Sequence, residues 1–303
     1  MGRMKDQLSD PFVRELVNME VQRELTERSM PTKYVGYLDM LGFKDLVKEN
    51  PGSLLVDVDD VTGMVISNPS ESAETFSQFH WVLDNMSSFG FSDFRPEQFL
   101  IFSDCAFVVF NNPGQAAVFM CKALRSFFPF LIPVRMSIAK GTCHSEGFSV
   151  ESSPRFQRVR SMFYGSAIVH AVEAEHSSGR GCRIFLHASL DPSDMQQIKD
   201  RVPVLDIESP KADKHGIVHS RTELNYLHRD EDGYSETNDL DIGLWALMER
   251  MRQRVPADAR ENVKFHYEES LSRFMAMRRQ LGRSEPRMAT PEEEEAHRRT
   301  QTS

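Results

Sequence analysis

Apolar residues fall in short runs whose period changes along the chain. Tyr34-Val35-Gly36-Tyr37-Leu38 is a continuous strand-like run that ends in Asp39, Met40 and Leu41. Gly42 then permits a tight turn, and Lys44-Asp45-Leu46-Val47 reads as the start of a helix. Phe76, Phe79, Leu83 and Met86 recur every three to four residues, the spacing of an amphipathic helix laid on a sheet. Two further strand runs, Phe99-Leu100-Ile101-Phe102 and Cys105-Ala106-Phe107-Val108-Val109-Phe110, are interrupted only by Ser103 and Asp104, which predicts a hairpin with a carboxylate at its tip. Asn112 caps and Pro113 opens a helix whose stripe is Ala117, Met120, Cys121, Leu124 and Phe128. Pro129 and Pro133 flank its exit into a strand over Val134–Gly141.

A helix from Ser166 and a short strand over Arg183–His187 complete an order of strand, helix, hairpin, helix, strand, helix, strand. That order predicts an α+β fold, a ferredoxin-like sandwich with N- and C-terminal helical additions. Four regions are expected: a helical arm over 1–30, the main domain over 31–208, a loop and helical extension over 209–282, and a disordered tail over 283–303. Within the extension, short strands such as Ile217-Val218-His219 and two helices broken at Pro256 are expected. The tail carries the Glu292–Glu295 run and lacks apolar anchors.

Composition narrows the function. The 303 residues carry a net charge of −9, which argues against nonspecific nucleic-acid binding, since that draws its affinity from Lys and Arg on phosphates. A metal-chelated nucleotide is compatible with an acidic chain. No run of about 18 apolar residues and no apolar leader occurs, so no membrane span is expected and the location is expected to be cytoplasmic. Cys105, Cys121, Cys143 and Cys182 are scattered without metal-site spacing and read as buried thiols. No P-loop, Gly-x-Gly-x-x-Gly fingerprint or Gly-x-Ser-x-Gly elbow is present.

The candidate chemistry lies at the two carboxylates. A strand that presents Asp39 before a glycine turn, beside a hairpin tip that presents Asp104, is the arrangement of a metal–phosphate site. These two segments resemble the catalytic domain of class III nucleotide cyclases, as do Val134-Arg135-Met136-Ser137-Ile138-Ala139-Lys140-Gly141 and Phe163-Tyr164-Gly165-Ser166-Ala167-Ile168-Val169. The wording Leu-Asp-Met-Leu-Gly-Phe, Phe-Ser-Asp and Tyr-Gly-Ser-Ala-Ile followed by Glu173 and Glu175 is nearest to the pyrimidine cyclases of the bacterial anti-phage system called Pycsar.

The resemblance implies that Asp39 and Asp104, with the Met40 carbonyl, hold two Mn²⁺ or Mg²⁺ ions. It implies that Leu41, Gly42 and Phe43 offer amides to the phosphates, and that UTP, ahead of CTP, is converted to the 3′,5′-cyclic monophosphate and pyrophosphate. It further implies a homodimer with composite sites, in which the helix from Ser166, with Ile168, Val169 and Val172, crosses the interface, and a separate effector that senses the product. Departures accompany the agreements. The purine-reading positions hold Leu100 and Met162, and the transition-state asparagine and arginine fall near His170 and Ala174. Another cation must then serve: Lys140, Arg135, Arg158, Arg160 and Arg180 are the candidates, with Arg160 assigned to catalysis and Lys140 and Arg158 to the nucleotide. A catalytically silent, nucleotide-binding relative is the alternative. His215 and His219 read as loop or strand histidines, and Arg229–Gly233 as a solvated turn.

Overall fold

The computed structural model describes residues 30–49, 55–58, 65–68, 70–88, 96–153, 156–228, 238–253, 255 and 261–283. The arm before Met30, the tail after Arg283 and the Arg229–Gly233 turn lie outside them. β1 (Thr32–Met40) is followed by the short α1 (Phe43–Glu49), the hairpin β2 (Leu55–Val58) and β3 (Val65–Asn68), and α2 (Glu71–Ser88). Then come β4 (Gln98–Ile101), β5 (Cys105–Phe110), α3 (Pro113–Phe127) and β6 (Val134–Thr142). β1 pairs antiparallel with both β5 and β6, which with β4 at the edge gives the order β6-β1-β5-β4 of a ferredoxin-like unit. The α+β expectation holds.

The strand runs are continuous because both faces of the sheet are covered. Leu38 and Met40 pack toward α2 and α3 in the main core, with Phe79, Phe110, Met120 and Phe127. Val35 and Tyr37 point the other way, into a second core with Phe107, Val109 and Ala139. Gly36 belongs to the first face, where a Cβ would meet the Met120 sulfur at 2.7 Å. The cap at Asn112 is as expected: its side chain accepts from the Gln115 amide at 2.9 Å.

Beyond β6 the chain forms a second hairpin, β7 (His144–Ser153) with β8 (Phe156–Tyr164), before α4 (Ser166–Ser177). α4 buries the small side chains of Ala167, Ala171 and Ala174 against the sheet, together with the carboxylate of Glu175. It comes so close that a Cβ on Gly141 would sit 2.6 Å from the Ala167 nitrogen. Ile168 and Val172 also pack on their own sheet, leaving Val169 exposed on the face expected at a dimer interface.

β9 (Ile184–His187) adds to β6 in parallel, α5 (Pro192–Lys199) follows, and β10 (Val204–Asp206) and β11 (Ser220–Leu224) extend the sheet to seven strands in the order β10-β11-β9-β6-β1-β5-β4. Residues from 209 onward therefore supply a strand of the main sheet. The strand expected at Ile217–His219 starts instead at Ser220. The Asp213 carboxylate accepts from the amides of His215 and Ile217, at 2.8 and 2.9 Å, which holds that stretch in a turn.

α6 (Asn238–Gln253) and α7 (Glu261–Gln280) close the structure, with Leu244, Met248, Met251, Phe274 and Met277 in the main core. Two buried ionic clusters fix them. Glu223 lies between Arg183 and Arg273, and Asp241 between Arg278 and Arg283. Among the described residues no helix is long and apolar enough to cross a membrane.

Candidate active site at the end of the first strand

Strand pairing brings the two predicted carboxylates together. Asp39 lies opposite Cys105 in the β1–β5 ladder, and the Met40 amide donates to the carbonyl of Asp104 at 2.9 Å. Asp39 therefore sits beside the tip of the β4–β5 hairpin. Its side chain has the parity of Val35 and Tyr37 and points to the α4 face, where it is largely buried. Burial, reinforced by the neighbouring charge of Glu175, pushes its carboxyl up to about 6, and the nearby Arg135 offsets only part of that. Tyr37 Oη reaches its Oδ1 only at 3.4 Å.

The turn that follows is built as the sequence requires. Gly42 has φ +78, a left-handed conformation, and its carbonyl accepts from Asp45 and Leu46 as α1 begins. The Leu41 amide, expected at the phosphates, is instead spent on the Pro133 carbonyl at 2.9 Å. The amides of Gly42 and Phe43 have no such bond among the described residues. The Phe43 ring stacks on Phe76 at 5.8 Å, and the Met40 side chain is core.

The cation beside Asp39 is Arg135, its direct partner across the β1–β6 ladder. Its Nε donates to the Glu175 carboxylate from α4, and its Nη1 to the Gly179 carbonyl at 3.0 Å. Glu175 is fully buried. Burial alone would raise its carboxyl, but His176 and Arg135 together hold it below the usual carboxylate range. Lys140, assigned to the nucleotide from the sequence, lies elsewhere. It pairs with Tyr34, near the opposite end of β1, and its ammonium is bound by Asp191 at 2.6 Å and Asp194 at 2.8 Å. Five residues of strand separate it from Asp39, on the order of 16 Å. Arg158 and Arg160 stand on β8, opposite Glu151 and Ser149. Arg180 covers the Phe265 ring.

The positions of the absent transition-state groups have structural roles. Ala174 is buried against Phe185 and Ile207, and His170 Nδ1 contacts the Lys140 carbonyl at 3.1 Å. Leu100 packs against the second core.

A second polar cluster escaped the sequence reading. Glu173, His187 and His219 place one ligand atom each within 4.8 Å of the others, and His170 stacks on His187 at 4.7 Å. His219 has the geometry of a ligand, since Asp213 accepts from its Nε2 at 3.0 Å and Nδ1 faces Glu173 at 3.6 Å. His187 does not. Its Nδ1 accepts from the Ser189 amide at 2.9 Å, so the neutral ring carries its proton on Nε2, the nitrogen a metal would need. The three elements that supply these residues are far apart in sequence, and no local spacing signals the cluster.

The Asp39–Asp104 site suits a hard divalent cation better: its side-chain donors are carboxylate oxygens, and one of them is an acid whose burial a nearby cation would relieve.

No family model and no curated protein matches the chain. Among solved structures, the chain is similar to adenylate cyclases from Trypanosoma brucei in their monomeric state, with 11% identity, 64% of this chain and 88% of that one covered, and a TM-score of 0.40. The guanylate cyclase domain of RhGC from Catenaria anguillulae, in complex with GTP, gives 11% identity, 64% and 94% coverage and a TM-score of 0.39. A dimeric guanylyl cyclase domain from Blastocladiella emersonii gives 12%, 64%, 94% and 0.40. Likeness at this level says nothing about chemistry.

Proposed function

We propose that the protein is a nucleotide cyclase that converts a pyrimidine nucleoside triphosphate, UTP ahead of CTP, into its 3′,5′-cyclic monophosphate and pyrophosphate. The observation that carries this reading is the junction of Asp39 and Asp104 beside the left-handed Gly42 turn. Two Mn²⁺ or Mg²⁺ ions held there by both carboxylates and the Met40 carbonyl would activate the ribose 3′-hydroxyl and neutralise charge on the phosphates. The chain's own residues do the remaining work. Gly42 and Phe43 offer amides to the terminal phosphates, and Arg135, braced by Glu175, supplies fixed positive charge beside Asp39. Arg158 and Arg160 on β8 are assigned to nucleotide and transition state from a second copy, in a homodimer with composite sites.

The preference for pyrimidines, and a role in anti-phage signalling through a separate effector that reads the cyclic product, are supported by the wording of the motifs. A silent, nucleotide-binding module is the second reading, favoured by the burial of Ala174 where the family places its arginine. Incubation of the purified protein with each of the four nucleoside triphosphates and Mn²⁺, followed by mass spectrometry, separates the two. Cyclic UMP is expected; no cyclic product from any of the four establishes the silent module.

A further inference from the structure

The tip of the β4–β5 hairpin is exposed at Phe102 and Ser103, yet it must aim Asp104 in one direction if that carboxylate is to share a cation with Asp39. The direction of a side chain starts from its Cα, and so from the two peptide planes that flank it. At Asp104 both planes are pinned, and by different elements. The plane after it is held by β1, whose Met40 amide donates to the Asp104 carbonyl at 2.9 Å. The plane before it is held by α2, where His80 Nε2 lies 2.9 Å from the Ser103 carbonyl. A carbonyl can only accept, so Nε2 carries the proton.

α2 is a firm base for that bond. Phe79, Leu83 and Met86 anchor the helix in the main core, and the Phe79 ring stands edge-on to the His80 ring with centroids 5.8 Å apart. One turn earlier, Phe76 packs on His80 with centroids 4.2 Å apart. Phe76 is also the ring on which Phe43 stacks. One face of α2 therefore touches both loops of the candidate site: the Gly42–Phe43 turn through Phe76, and the Asp104 tip through His80.

We propose that His80 is a positioning residue for Asp104: its ring N–H, held in place by Phe76 and Phe79, fixes the peptide before Asp104 and so the direction in which the carboxylate leaves the hairpin. The proposal rests on the reading that Asp39 and Asp104 share a divalent cation. It gives α2 a part in the site although no atom of that helix needs to touch the ion.

Two substitutions separate the donor from the ring. His80→Phe keeps the ring and loses the N–H, whereas His80→Gln loses the ring and keeps an N–H at the place of Nε2. Hydrogen exchange of the full chain without metal reads the tip directly, at the Met40 and Phe102 amides that bond across it. Exchange there should run about three- to tenfold faster in His80→Phe, the effect of one hydrogen bond, and within about twofold of the parent in His80→Gln. Mn²⁺ binding, followed by the electron paramagnetic resonance of the free ion, should weaken by the same about three- to tenfold in His80→Phe and be largely restored in His80→Gln. In an Asp104→Ala background His80→Phe should leave Mn²⁺ binding unchanged, because no carboxylate remains to be aimed.

Parent-like Mn²⁺ affinity in His80→Phe overturns the proposal, as does equal weakening by both substitutions. So does the same loss in the Asp104→Ala background, which marks a general loosening of the fold. A parent that binds no Mn²⁺ overturns it together with the metal assignment. Failure of the cyclase reading looks different: no cyclic product is made, yet His80→Phe still weakens Mn²⁺ binding and His80→Gln still restores it. Cyclic UMP formed by His80→Phe at the parent's kcat, with unchanged exchange at the tip, removes the positioning role and leaves the cyclase.

Discussion

Asp39→Asn separates stability from function at one atom. The wild-type carboxyl titrates near 6 in the folded protein against 3.8 as an unperturbed group, mainly because it is buried and faces Glu175. The folded state therefore holds this proton more tightly than the unfolded chain, and stability falls as pH rises from about 4 to about 6. Above that window both states are ionised, and the ionised native carboxylate costs about 3 kcal/mol. Asparagine is neutral throughout. The variant should consequently be more stable than wild type by up to about 3 kcal/mol near pH 8, with the gain vanishing below about pH 4.

Urea denaturation at a series of pH values in EDTA measures the difference. Mn²⁺ should reverse the ranking, because an ion that binds only the native wild type adds about 4.1 kcal/mol at a thousand times its Kd. Asp39→Asn should gain much less and should form no cyclic product. A variant no more stable than wild type at pH 8, or a difference that does not change with pH, refutes the electrostatic argument. An equal Mn²⁺ effect on both proteins refutes the assignment of the metal to Asp39.

Asp104→Ala should abolish turnover by mass spectrometry while leaving the circular dichroism spectrum unchanged, because a partly exposed hairpin tip contributes little to the core. Glu223→Gln should destabilise by about 3–5 kcal/mol in denaturation, since it removes the carboxylate shared by the buried guanidinium groups of Arg183 and Arg273. Gly42→Ala should cost about 1–2 kcal/mol, a left-handed backbone with open space around the new methyl group. Gly165→Ala should cost distinctly more in the same assay, because its Cβ would lie 2.1 Å from the Thr142 carbonyl oxygen.

The parts of the fold legible in the sequence are those where one local rule decides. β1, β4 and β5 are apolar on both faces, so their runs are continuous, and Asn112-Pro113 carries its cap in two residues. The β7–β8 hairpin was not expected, because its strands mix Ser, Glu, Gln and Arg with isolated apolar residues and keep neither period. The start of β11 was misplaced for a different reason. Ile217-Val218-His219 has strand composition, but a single Asp213 side chain takes two of the amides a ladder would use.

Long-range ionic partners such as Arg135 with Glu175, or Asp241 with Arg278, leave no local signature at all.

Arg135 shows what a topology adds to a composition. From the sequence alone it was one of five candidate cations, and those on β8 were preferred for standing just before Tyr164-Gly165. Once the ferredoxin-like order is accepted, β6 must run antiparallel beside β1, so the last residues of β1 face the first residues of β6. Asp39 near the end of one strand then demands a partner near the start of the other, and Arg135 is the second residue of β6. Lys140 fails the same test. It stands toward the other end of β6, opposite Tyr34, where the acids of α5 and its cap hold it. The fixed positive charge of Arg135 beside Asp39 thus comes from strand pairing, which its distance from Asp39 in the sequence does not reveal.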